Sequence, residues 1–568
     1  MRAFQTQPAI RAALLSGIVV AGGLEMGLAH AGEIFADTVY KNGKIYTLDA
    51  ESSVASAVAI VDGRFVAVGT DSAIEPYVGP DTQVVDLNQQ TVIPGLNDTH
   101  NHSLAAGEQA FRVPLEDVKT VAEALERIKE AAADKKPGEW IIGSSWHPTS
   151  QLAEHRYLTA QEIDSVAPNN PVYLRGHVSS FNTAAMKLAG VDRNTPDPEG
   201  GVIERDEAGE PTGIFQERAS RLITSHIPEP TVEELEERYV EAMKVANSYG
   251  LTSVTEPSLA PENIRALQRL MQEGKLTLRY SAMYGPSPAL SPEQWDAATK
   301  GVGTSSGFGN EWLKLDAIGE MSIDGGMTFR TAFMREPYPD DPEYRGVPAM
   351  FKERLMTNVS IGNKNDWRFS IHEVGDAAID WVLDAYDAAN KEKSIAGRRF
   401  AVMHGSLIQR DQLERMKELG VIIELQNIFM WDKAATVERN LGRKVADRAV
   451  PTRMAIDILG INNVSLGSDF PTNIMNPWIN LYVAITRKDP NGTVYGADQA
   501  ITREEALRIY TVSGAYTSFE EDIKGPIKVG NLADMAVLDR DFFTVPDEEI
   551  KDIEVVQTIV GGKTVYQR

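Results

Sequence analysis

His100 and His102 end the run Val92-Ile-Pro-Gly-Leu-Asn-Asp-Thr-His-Asn-His102, where a short apolar stretch and a Pro-Gly lead into a His-x-His pair. Alternate side chains of an extended strand share one face, so both imidazoles point the same way, as two ligands of one metal ion would. The pair alone is a weak signal. It gains weight from His372, His404 and Asp469, each closing an apolar run of its own, and from Glu320 near the end of another. Imidazole nitrogens and carboxylate oxygens in this proportion suit zinc or a similar divalent ion, and the chain has no cysteine to add a thiolate. Such an ion lowers the pKa of water toward neutrality, and a neighbouring carboxylate can take the proton as the water attacks a carbonyl. Asp469 is the candidate for that base.

Scattered ligands need a scaffold that brings strand ends together. The middle of the chain alternates apolar strands with helical segments, the texture of a parallel β/α barrel, whose C-terminal strand ends converge on one mouth. Nine strands offer themselves: Val92 to His100, Val172 to Gly176, Leu251 to Glu256, Leu276 to Met283, Leu313 to Met321, Phe369 to His372, Phe400 to His404, Val421 to Leu425 and Val464 to Asp469. Eight make a barrel. The odd one is Val172 to Gly176, because it lies in a long polar, Pro-rich stretch at about 110–228 that reads as an insertion at the catalytic end. Thr231-Val-Glu-Glu234 then forms a capping box, and Gly250 closes the helix before Leu251. Short β-rich segments with turn signals fill 32–91 and return in 525–568, which predicts one small β-sandwich assembled from both ends around a barrel of 92–524.

Length and charge narrow the class of partner. A chain of 568 residues has room for a large core and an attached domain. Its 81 acidic and 56 basic residues leave a net charge of -25, which repels polyphosphate and argues against nucleic acid. Residues 1–31 read as an export signal, with Arg2 and Arg11 ahead of an apolar stretch from Ala12 to Val20 and a small-residue Ala29-His-Ala31 before Gly32. The expected location is therefore periplasmic or secreted, with no stable membrane span once the signal is cut; retention as an anchor is the alternative.

The ordered set of motifs resembles the amidohydrolase superfamily, and within it the amidohydrolase-3 group of N-substituted formamide deformylases and YtcJ-like proteins. Its pieces are Pro94-Gly-Leu-Asn-Asp-Thr-His-Asn-His102, Ser370-Ile-His-Glu-Val-Gly-Asp376, Met403-His-Gly405, Leu466-Gly-Ser-Asp-Phe-Pro471, Glu504-Glu-Ala-Leu-Arg-Ile-Tyr-Thr511 and Gly530-Asn-Leu-Ala-Asp534. The resemblance implies a TIM-like barrel, a composite β domain, metal-dependent hydrolysis of carbon-nitrogen bonds and, by analogy, a homodimer. One departure stands out. Where family members carry a lysine, often carboxylated to bridge two metals, four residues before an Asp-Gly, this chain has Glu320 in Gly319-Glu-Met-Ser-Ile-Asp-Gly325. A glutamate supplies the bridging carboxylate directly, yet it is shorter, which leaves one or two ions open. Lys314 lies six residues earlier on that strand, too deep to substitute.

The expected ligands are thus His100, His102, Glu320, His372, His404 and Asp469, with Asp469 and His404 also catalytic. His372 and His404 either hold a second ion or position the substrate carbonyl. Trp146, Arg175, His177 and Glu217, in the insertion, resemble pocket-lining segments of the family. The expected reaction is hydrolysis of a small-molecule amide or N-acyl linkage, including N-formyl. An ester or lactone hydrolase is the alternative on the same scaffold, and a metal-bearing protein that captures a small molecule without turnover is the third.

Overall fold

The computed structural model describes residues 34–568 apart from Ser145 and His177, so the proposed export signal and His30 lie outside the described residues. Eight parallel strands form the central sheet: β1 (Leu96–Asp98), β2 (Leu251–Leu259), β3 (Arg279–Tyr284), β4 (Leu313–Ser322), β5 (Phe369–Glu373), β6 (Ala401–His404), β7 (Ile422–Leu425) and β8 (Val464–Leu466). The sheet curls until its edges meet. Thr99 donates to the Leu466 carbonyl at 3.2 Å, Asp469 to that of His100 at 2.8 Å and His102 to that of Phe470 at 2.9 Å. The segments that follow β1 and β8 are therefore stitched together where the site residues begin.

Helices pack outside the strands for reasons written locally. In Val232–Ser248 the capping box of Thr231 and Glu234 satisfies the first turn, and Leu235, Tyr239, Ala242, Met243 and Ala246 recur at helical spacing to bury one face. Among the described residues no helix is long and apolar enough to cross a membrane.

The run Val92 to His100 is not one strand. Thr91–Pro94 pairs in parallel with Lys44–Tyr46 and antiparallel with Met535–Leu538 in a separate six-stranded sheet, and only Leu96–Asp98 enters the barrel. Gly95 is the break, since a Cβ there would lie 2.2 Å from Thr252 Oγ1. Both halves are buried, and Leu96 continues the apolar stretch of Val92, Ile93 and Pro94, so the run reads as one strand in the sequence. The six-stranded sheet faces a four-stranded one, Thr38–Lys41, Ala57–Val61, Arg64–Gly69 and Gln83–Asp86, across a core that includes Tyr40, Ile45, Phe65, Val92 and Val537.

Val172–Leu174 lies outside the barrel, in a five-stranded sheet with Ile141–Gly143, Val178–Phe181, Pro211–Glu217 and Gly201–Arg205. That sheet and its helices have cores of their own, one holding Leu115, Ile128, Trp146 and Leu174, another Phe181 and Phe215.

Candidate metal centre

Six side chains converge at the C-terminal mouth of the barrel. His100 and His102 follow β1, Glu320 lies near the end of β4, His372 near the end of β5, His404 ends β6, and Asp469 sits three residues past β8. Three trios of ligand atoms each fall within 4.8 Å of one another: His100, His102 and Glu320; His100, His404 and Asp469; and Glu320, His372 and His404.

Glu320 occupies the middle. Its Oε2 lies 3.5 Å from His102 Nε2 and 3.8 Å from His100 Nε2, while Oε1 contacts His372 Nδ1 and lies 3.1 Å from His404 Nε2. Each oxygen thus faces its own pair of imidazoles. Asp469 Oδ1 stands 3.2 Å from His100 Nε2 and 3.8 Å from His102 Nε2. Lys314 is far from this arrangement in its contacts: Nζ donates to the Ser518 carbonyl at 2.6 Å.

Burial and charge compete here. Burial pushes the Glu320 carboxyl up, but the imidazoles of His372, His100 and His102 outweigh it and hold the group well below the usual carboxylate range. Burial raises Asp469 likewise, and His100 and His404 bring it below its ordinary value. Burial lowers His404, yet Glu320 and Asp469 carry it up to about 9. His100, wholly enclosed, is lowered by that burial. The result is two ionised carboxylates among four imidazoles.

The donor set fits a divalent cation. Among the described residues, both ring nitrogens of buried His100 and Nε2 of His372 have no hydrogen-bond partner of acceptable geometry, and His404 Nε2 faces His372 Nδ1 at 2.9 Å. Orphaned buried nitrogens are costly unless something else satisfies them, and nitrogen and oxygen donors in this mixture suit zinc and its neighbours. The backbone is also committed: His404 and Asp469 have φ of 70° and 54°, left-handed values that non-glycine residues adopt where surrounding structure imposes them.

A cavity of about 500 Å³ opens over these groups, walled by Met327, Phe329, Val374 and Phe429, with Lys433 at its side. Lys433 Nζ donates to the carbonyl of Thr472 at 3.0 Å and to the side chains of Asn473 and Asp432. Trp146, Arg175 and Glu217, expected at the substrate, are not among the described residues that line it: Trp146 is buried in the insertion's own core, Arg175 directly follows an insertion strand and Glu217 ends another. His177 lies outside the described residues. The loop Asp324–Phe329 builds much of the wall instead, and Asp324, with oxygens accepting from Phe333 at 2.7 Å, Gly375 at 2.8 Å and Val374 at 2.9 Å, fastens it to the exit of β5. Sequence reasoning missed this loop because a Gly-rich stretch between strands carries no signal of what it covers. Gln426, against His404, was missed as well.

This barrel and its mouth define a metal-dependent hydrolase. The amidohydrolase family model matches residues 83–566. The N-substituted formamide deformylase of Arthrobacter pascens is 30% identical over 543 residues, 94% of this chain and 98% of its own. The protein LONG AFTER FAR-RED 3 of Arabidopsis thaliana is 30% identical over 550 residues, 94% of this chain and 92% of its own. Among solved structures, an uncharacterized metal-dependent hydrolase from Pyrococcus horikoshii superposes with a TM-score of 0.73 at 26% identity, covering 90% of this chain and 99% of that one. The chain belongs to the amidohydrolase family.

Proposed function

We propose that this enzyme hydrolyses an amide or N-acyl carbon-nitrogen bond, N-formyl included, in a small molecule outside the cytoplasm, with zinc as its metal. His100, His102 and Asp469 would hold one ion, and His372 with His404 a second, with Glu320 a ligand within reach of both groups. A divalent ion bound there supplies Lewis-acid polarisation and water of lowered pKa. Asp469, ionised and directed at the same point as His100, accepts the proton of the attacking water and delivers it to the leaving nitrogen. The apolar walls of Met327, Val374 and Phe429 shield the reacting carbonyl from bulk water.

The observation that carries this reading is the Glu320 carboxylate set between two imidazole pairs with Asp469 beside one of them. The export part rests on the character of residues 1–31 alone. A metal-titrated assay on N-formyl and N-acyl amines beside the matching esters tests it. Turnover of the amides that vanishes in Asp469→Asn while metal stays bound supports the proposal. Preference for esters would redirect it to an esterase, and wild type as inert as the variant would point to capture without chemistry.

A further inference from the structure

Strand β7 contributes none of the six converging side chains, yet Gln426, the residue after it, reaches one of them. Its Oε1 lies 2.8 Å from Nδ1 of His404. Both side chains are buried. The far end of the amide settles its orientation, because Nε2 donates to the Glu424 carbonyl at 3.3 Å. A flipped amide would set two oxygens against each other there and two potential donors at His404.

An amide oxygen only accepts, so Nδ1 of His404 carries the hydrogen of this bond. Without a cation the neighbouring carboxylates favour a second hydrogen on Nε2; with a divalent cation bound that hydrogen is displaced, and in the neutral imidazole that results Nε2 offers a lone pair. That nitrogen, Nε2, is the one facing Glu320 Oε1 at 3.1 Å and His372 Nδ1 at 2.9 Å. The ring has little freedom to turn over, with Phe429 edge-on at 6.0 Å and the rings of His100 and His372 at 4.9 and 4.4 Å.

We propose that Gln426 is a positioning residue that holds His404 in its Nδ1–H tautomer, so that His404 enters the centre as an electron-pair donor to a divalent cation and not as a hydrogen-bond donor to the substrate carbonyl. Resting on the proposed metal centre, this assignment decides between the two roles left to His404. A neutral amide does so without adding a third negative charge beside Glu320 and Asp469. Partners of this kind, behind a metal-binding imidazole, typically govern metal affinity by about 10- to 100-fold.

The test uses the full-length protein stripped of metal by a chelator and titrated with zinc against a chromophoric competitor. Gln426→Leu, which removes the acceptor, is expected to weaken zinc binding by about 10- to 100-fold, and Gln426→Glu, which restores an acceptor, to return it to within a few-fold of wild type. Wild-type zinc affinity in Gln426→Leu overturns the assignment, as does equal loss in both variants, since a packing defect would not distinguish them. A second measurement needs no variant at position 426. In zinc-loaded wild type carrying 15N-labelled histidine, the signals that disappear in His404→Asn should report hydrogen on Nδ1; hydrogen on Nε2 refutes the proposal. Wild type that takes up no zinc sinks both this assignment and the metal centre beneath it, whereas zinc uptake indifferent to Gln426 sinks this one alone.

Discussion

Asp98 accepts the backbone N–H of Ser468 at 2.8 Å, and that bond ties the exit of β1, which carries His100 and His102, to the exit of β8, which carries Asp469. The same carboxylate takes the N–H of His100 at 3.3 Å and the side-chain amide of Asn101 at 2.9 Å. Asp98 therefore orders the backbone beneath the ligands and does not bond to a ligand ring. Asp98→Ala leaves buried donors unpaired, each costing about 1–3 kcal/mol. Chemical denaturation should show a clear loss of stability, accompanied by weaker zinc uptake, while Asp98→Asn, which keeps one acceptor oxygen, should fall between the two.

Asp469 is the residue assigned to proton transfer. Asp469→Asn should lower turnover of an amide substrate by about 10²- to 10⁴-fold, the usual contribution of a positioned acid or base, with metal still present by elemental analysis. Activity within a few-fold of wild type would assign the proton transfer elsewhere.

Gly467 lies against the first ligand. A Cβ on it would stand 2.6 Å from the His100 backbone nitrogen and 2.7 Å from the His100 Cβ, neither of which is the free end of a side chain. Gly467→Ala should therefore displace His100 and lower both stability and zinc affinity. A variant with wild-type affinity and an unchanged melting temperature would show that the seam between β1 and β8 yields more easily than its packing suggests.

Arg279, at the start of β3, and Asp534, just before a strand of the sandwich, form a buried two-pronged ion pair at 2.7 and 2.9 Å. Asp534 also accepts from the Gly561 N–H at 2.8 Å. Removing one partner strands the other charge away from water, which costs about 3–5 kcal/mol. Asp534→Ala should destabilise the protein to that extent in denaturant, with the loss relieved in Arg279→Met/Asp534→Ala. No relief in the double variant would locate the stabilisation in the Gly561 bond.

How much of this was legible depended on whether a residue's role is local. The His-x-His pair, His372, His404 and Asp469 each stand at or within a few residues of a strand end, a position that sequence periodicity marks and barrel topology turns into proximity. Glu320 could be found by its place four residues before Asp324-Gly325. Val172–Leu174 could be set apart from the barrel because its surroundings are polar and Pro-rich. Gly95 could not, since what breaks the strand there is the approach of Thr252 from 157 positions along the chain. Gln426 was silent for a similar reason: a glutamine after an apolar strand looks the same whether it faces water or an imidazole. Trp146 stands in a segment that resembles pocket-lining segments of the family; the packing adds that its side chain is buried in the insertion's core, which no sequence signal showed.

Metal content per folded chain, by elemental analysis of wild type and Glu320→Ala purified side by side, tests the centre most directly. The structure predicts at least one divalent ion in wild type and a lower content in the variant, because Glu320 is the only one of the six groups that faces both imidazole pairs. Equal metal in the two proteins, or a wild type freed of metal that still hydrolyses its substrate, would contradict it.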